Sequence, residues 1–195
     1  MNLYKFLDNC IKIRKLNDLI KYILKNYKYF EKIKKLNRNI TFRKNLIEIS
    51  IYDKSENESN LMLMYRILEF KFYKQIEKVA KRKLMYKDEI NNNKSENIYL
   101  VFASNTEEHF DILKVYLLFY YANLSLYKEN KYIGLDFEFN TKVVALMQIN
   151  FEQPRLDLYK YSLIFLFNPE QFSSKWKAFF SKKIICGDVY KILHG

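Results

Sequence analysis

Tyr132-Ile133-Gly134-Leu135-Asp136-Phe137-Glu138-Phe139-Asn140 sets two acids, two positions apart, inside an otherwise apolar run. Side chains alternate faces along a strand. Ile133, Leu135, Phe137 and Phe139 therefore share one face, and Asp136 and Glu138 share the other with Gly134. Two neighbouring carboxylates repel each other, and burying them is costly unless a positive charge stands between them. A divalent metal meets that need; a strand-end pair turned to solvent is the other reading. Gly134 leaves room on the acids' side for a ligand or another backbone to approach. Only Thr141-Lys142 precedes the next apolar run, Val143 to Phe151, so a tight hairpin is expected.

The second half of the chain alternates strands and helices around this stretch. Ile98 to Ala103 reads as a short strand. Asn105-Thr106-Glu107-Glu108 opens a helix that runs to about Asn123, with a cap at Asn105 or Thr106 and acids in the first turn. Tyr161 to Phe167 continues the sheet, Pro169 to Ser181 reads as a helix, and Tyr190 to Leu193 as a last short strand. The first half has a different pattern. Residues 3–36 carry apolar residues at helical spacing with lysine between them, Ile47, Ile49 and Ile51 alternate as a strand, and Tyr52 to Ser59 reads as a loop. Leu61 to Met85 reads as an amphipathic helix ending in Lys81-Arg82-Lys83. The expected organisation is a basic, mainly helical region over 1–86, a polar linker over 87–97, and an α/β domain with a mixed sheet over 98–195.

The chain has 195 residues, 49% of them hydrophobic and 17% aromatic, enough for a packed core. Its 3 Gly and 2 Pro supply little turn chemistry for an all-β fold. The net charge of +12 is uneven: residues 1–97 hold 23 Lys/Arg and 12 Asp/Glu, while residues 98–195 hold 11 and 10. A basic half beside a nearly neutral half with a carboxylate pair fits a nucleic-acid-binding arm joined to a metal site, with Lys81, Arg82 and Lys83 as the candidate phosphate contacts. A lysine-rich solvated surface produced by AT-rich coding is the competing reading. Cys10 and Cys186 are too few for a disulfide framework, and no Cys/His spacing suggests zinc. Met1 to Leu7 lacks a signal-peptide apolar core, and the apolar run Val115 to Leu126, broken by Asn123 and Ser125, is short for a membrane span. A soluble protein of a reducing intracellular compartment, with no membrane partner, is expected.

Residues 98–195 resemble the 3′–5′ exonuclease domain of the DEDD superfamily, of the RNase D and proofreading type, with an RNase H-like fold. The resemblance rests on the order of features: a strand, a Thr-Glu-Glu-opened helix, the first motif at Tyr132 to Asn140, the strand through Val144-Ala145-Leu146-Met147-Gln148-Ile149, a strand ending near Asn168-Pro169, a helix, and Lys191-Ile192-Leu193-His194-Gly195 as the lead-in of the second motif. It implies a hydrolase using two Mg²⁺ or Mn²⁺ ions on a DNA or RNA phosphodiester, with Asp136 binding both metals and Glu138 binding one and helping to place the attacking water. Gln148 matches a polar position of the second strand, expected to bond within the sheet. Leu135 and Phe137 are expected in the core.

The family's second motif runs on to a further Asp, and a third supplies the last Asp and a His or Tyr general base. None of these lies within the 195 residues. His194 belongs to the lead-in, His109 to a helix, and Asp188 precedes the motif and is expected to cap or turn the segment after Gly187. The site is thus expected to be incomplete and inactive alone, its ligands completed by a second polypeptide. The alternative is a catalytically dead nucleic-acid-binding remnant or an interaction protein.

Overall fold

A computed structural model describes the backbone of residues 1–37, 41–43, 46–50, 56–87, 96–103, 106–124, 132–138, 144–151, 159–171, 173–186 and 190–194, and the side chains of 1–35, 60–85, 98–103, 106–122, 163–166, 168, 170–171, 173–183 and 186. The chain divides into two compact units. One comprises Met1–Val79 with Asp111–Glu129, the other Ala80–Phe110 with Asn130–Gly195.

The first unit is helical. The single helical period expected over 3–36 is broken into α1 (Leu3–Lys12), α2 (Leu16–Lys25) and α3 (Lys28–Asn37). Asn2 accepts from the Lys5 amide at 2.8 Å and so caps α1 at its start. β1 (Thr41–Arg43) pairs antiparallel with β2 (Leu46–Ser50), where alternating isoleucines predicted a strand. α4 (Glu56–Ile76) begins inside the segment read as a loop and ends nine residues before Met85. α5 (Glu107–Leu124) contributes residues from Asp111 onward to this unit.

The core of the helical unit is aromatic. Phe119 of α5 lies 5.1 Å from Phe30, 5.2 Å from Phe72 and 5.8 Å from Tyr65, ring centre to ring centre, and all four rings are buried. Such pairs each add about 0.5–1.5 kcal/mol beyond the area they remove from water. Arg66 and Glu69 are buried among them and joined at 2.9 Å. Lys71 of α4 donates to the carbonyls of Cys10, Ile11 and Ile13, where α1 runs out of helical partners. Val115 to Ala122 of the apolar run therefore lie in a core helix, and among the described residues no helix is long and apolar enough to cross a membrane.

The second unit is a six-stranded mixed sheet in the order β3-β4-β7-β6-β5-β8, built from β3 (Arg82–Lys87), β4 (Glu96–Phe102), β5 (Tyr132–Glu138), β6 (Val144–Phe151), β7 (Tyr159–Phe167) and β8 (Tyr190–His194). β3–β4, β5–β6 and β6–β7 are antiparallel; β4–β7 and β5–β8 are parallel. The fold is α/β, as the alternation of elements predicts. Ile98, Leu100 and Phe102 are buried on one face of β4, and Phe102 stacks at 5.0 Å on Phe165, its register partner in β7. The helix expected from Pro169 is a short 3₁₀ turn, Pro169–Gln171, followed by α6 (Ser174–Phe180), which Ser173 caps by accepting from the Trp176 amide at 3.3 Å. A π-helical turn over Ser181–Ile185 extends it, and Trp176 stacks on Phe110 at 4.0 Å.

This division departs from the expected boundaries at two places. Residues 82–87 form an edge strand of the sheet, not the end of a helix, because Arg82 to Lys87 pairs residue by residue with Val101 to Glu96. The polar stretch 87–97 thus joins two paired strands, its residues 88–95 lying outside the described ones. Asp111–Glu129 belongs with the helical unit, and within it Tyr116 and Phe119 meet side chains of α3 and α4.

Two measurements check this packing. Glu69→Ala leaves a buried guanidinium short of its carboxylate and should cost about 3–5 kcal/mol in urea unfolding, whereas Arg66→Met with Glu69→Leu should recover most of that loss. Burial pushes the Cys10 thiol from 9.0 up to about 12. The folded state then keeps a proton that the unfolded state releases, so this stabilisation is full below pH 9 and is lost as the pH rises toward 12. The stability difference between wild type and Cys10→Ala should shrink over that window, and a constant difference would contradict it.

Candidate functional site

β5 carries both candidate acids. Asp136 is the fifth residue of the strand and Glu138 its last. Their side chains lie outside the described residues, and the backbone fixes their surroundings by register. Asp136 stands opposite Leu146 of β6 on one side and His194 of β8 on the other. Glu138 stands opposite Val144, and Gly134 opposite Gln148 and Ile192. Gly134, Asp136 and Glu138 occupy alternate positions of one strand and so share a face.

The topology around β5 is informative. From β5 the chain steps to β6 and then β7 on one side, and after α6 it returns to lay β8 on the other side of β5. The strand order reverses at β5. β5 and β8 are parallel, with His194, the last residue of β8, opposite Asp136 and Glu138 two residues further along β5. Among the described residues no group of three or more His, Cys, Asp and Glu is gathered.

Asp188 falls outside the described residues. His109 sits in the first turn of α5, half-buried, its ring edge-on to Phe102 at 5.3 Å. Its amide donates to the Thr106 hydroxyl at 3.3 Å, so of the two expected caps it is Thr106 that acts among the described residues. His109 is thus a packing residue of the first turn, its amide capped by Thr106.

Lys81, Arg82 and Lys83 are exposed. They do not form one patch on a helix. Arg82 opposes Val101 and Lys83 opposes Leu100, which places Arg82 and Lys83 on opposite faces of β3. Lys83 shares its face with the buried Leu100, and Lys81 holds the start of the strand through its amide, 2.8 Å from the Val101 carbonyl. Lysine on an edge strand, above all on its inward face, deters pairing with another chain. The sequence reading also passed over a denser basic region. Residues 1–37 hold ten Lys/Arg and three Asp/Glu, a local ratio that the half-by-half count averaged away.

No protein-family model matches the chain, and no solved structure matches it. Over 99 residues it is 32% identical to "Uncharacterized protein L533" of Acanthamoeba polyphaga mimivirus. That stretch is 50% of this chain and 19% of the viral protein, so the chain spans about a fifth of that relative's length.

The edge geometry predicts a change in solution behaviour. Lys83→Val should leave β3 an apolar edge with Leu84 and the 53% exposed Met85, and should raise the apparent mass in light scattering as concentration increases. A variant that stays at the wild-type mass across the same range would remove the protective role from Lys83.

Proposed function

We propose that residues 98–195 carry the first part of a metal-dependent 3′–5′ exonuclease site of the DEDD type in an RNase H-like sheet, acting on nucleic-acid phosphodiesters. The observation that most supports this reading is the parallel pairing of β8 with β5, with His194 opposite Asp136. The resemblance assigns β5 to the first motif and the His194-Gly195 lead-in to the second. A strand continuing from His194 in the direction of β5 passes alongside Phe137 and Glu138, one strand spacing of about 4.8 Å away. An acid supplied there arrives beside the carboxylate pair, as a shared metal site requires.

In this reading Asp136 and Glu138 hold the cations, and Gly134 keeps the same face of β5 open to the substrate backbone. Bound divalent cations supply Lewis-acid polarisation of the phosphate and a lowered pKa for the attacking water. Glu138, at the strand's end, orients that water. The 195 residues provide two of the acids the family uses, so the remaining ligands and the general base come from outside them, in a second polypeptide or a further segment. These groups act as a unit, and half a set gives little catalysis. A second reading, nucleic-acid binding without hydrolysis, is favoured by the excess of Lys/Arg over Asp/Glu in residues 1–97.

The test separates metal binding from turnover. Mn²⁺ titration of the 195-residue chain, followed by the electron paramagnetic resonance of the free ion, should show binding that weakens about tenfold or more in Asp136→Asn with Glu138→Gln. The same chain with Mn²⁺ and a 3′-labelled single strand should show no shortening. Mn²⁺ binding that survives the double substitution would overturn the site. Shortening from the 3′ end that Asp136→Ala abolishes would show that these residues suffice for catalysis.

A further inference from the structure

The positive charge of this chain is concentrated away from β5. Residues 1–37 hold ten Lys/Arg and three Asp/Glu, whereas residues 38–195 hold 24 and 19. Seven of the twelve net positive charges therefore fall in the first 37 residues. A coding bias toward lysine acts along the whole sequence and does not produce that concentration.

Folding turns these cations to solvent. The inward stripes of α1, α2 and α3 are apolar, with Phe6, Leu19, Ile23 and Phe30 buried, while Lys5, Lys21, Lys25, Lys28 and Lys32 are exposed. Of the three acids, Asp8 is held by Lys12 at 2.7 Å. One end of the cluster adds aromatic rings. The Tyr29 hydroxyl donates to the Met1 carbonyl at 2.8 Å and its ring stacks on Phe6 at 4.8 Å, which seats the first turn of α1 against the start of α3. The Lys28 and Lys32 ammonium groups lie 5.8 and 5.1 Å from the centre of the Tyr29 ring. Lys5 stands in the first turn of α1, beside Tyr4. Tyr4, in that first turn, and Tyr27, the residue before α3 begins, are 57% and 60% exposed.

Ammonium groups neutralise phosphates, and exposed flat rings receive unstacked bases. A duplex offers the phosphates but keeps its base faces stacked, so the combination selects a single strand. We infer that the end of the α1–α3 cluster formed by Tyr4, Lys5, Tyr27, Lys28 and Lys32 binds single-stranded nucleic acid, phosphates on the lysines and bases on the tyrosines. This deepens the nucleic-acid reading proposed above, resting on it for the class of polyanion and not on the acids of β5.

The experiment uses the full 195-residue chain, a fluorescently labelled oligothymidine strand and its duplex with oligoadenosine, and fluorescence anisotropy across a salt titration. The single strand should bind more tightly than the duplex. Lys28→Gln with Lys32→Gln should weaken binding about tenfold at low salt and reduce the slope of log affinity against log salt by about two. Tyr27→Ala should weaken binding about fivefold or more and leave the slope unchanged. These titrations are run with divalent cations chelated, so Mn²⁺ binding that survives Asp136→Asn with Glu138→Gln, beside strand binding that follows these outcomes, sinks the nuclease site alone. Wild-type affinity and slope in the lysine variant would overturn the inference. So would loss confined to Lys81→Gln with Arg82→Gln and Lys83→Gln, or binding to phosphatidylserine vesicles but not to the strand. Matching circular-dichroism melting curves for each exposed-residue variant tie any loss to binding.

Discussion

Helix α5 has apolar residues around nearly its whole circumference, and the helical unit is organised by the need to keep them from water. Ile112, Leu113, Val115, Tyr116, Phe119 and Tyr120 are all inaccessible to solvent. A helix of this kind has no face to leave outside and must be surrounded. Helices α3 and α4 supply part of that surrounding surface, with Phe30, Tyr65 and Phe72 meeting at Phe119. Burial on this scale has a polar consequence. Arg66 and Glu69 enter the core only as a pair, and Tyr120, whose hydroxyl is enclosed without a hydrogen-bond partner, has its pKa raised by burial.

The same constraint explains why α1 to α3 are so basic on their outer side. Short helices with three buried apolar positions each, among the described residues, turn much of their circumference to water. Water accepts lysine there at little cost, so a concentration of charge leaves the fold intact and remains available for a polyanion. The edge strand β3 uses the same residue type for a different physical purpose. Its lysines stand where an open row of backbone donors and acceptors would otherwise recruit another strand. Sequence proximity made Lys81, Arg82 and Lys83 look like one patch, and the pleat of the strand separates Arg82 from Lys83.

In the sheet unit the decisive arrangement is the return of the chain to the far side of β5. A meander of β5, β6 and β7 could have ended with β8 beside β7. Its placement beside β5 creates the reversal of strand order and brings His194 opposite Asp136. Asp136 is thus flanked by a paired residue on each side, Leu146 and His194, while Glu138 pairs with Val144 on the β6 side.

Much of this was legible in the sequence. Short apolar runs marked β4, β5, β6, β7 and β8 within a few residues, and a cap at Asn105 or Thr106 with Glu107 and Glu108 marked the start of α5. The pair at Asp136 and Glu138 was visible because acids are rare inside apolar strands. What the sequence by itself determined was local: periodicity, caps and the face shared by two acids, all set by neighbours within one or two turns of chain. Only the tertiary structure decided that Arg82 to Lys87 extends as a strand, since its partner is the β4 residues that follow the polar stretch. Only it decided that most of α5 packs with α3 and α4, and that β8 adjoins β5. Those outcomes depend on burial and pairing between residues far apart in sequence, energies that no local pattern of side chains records.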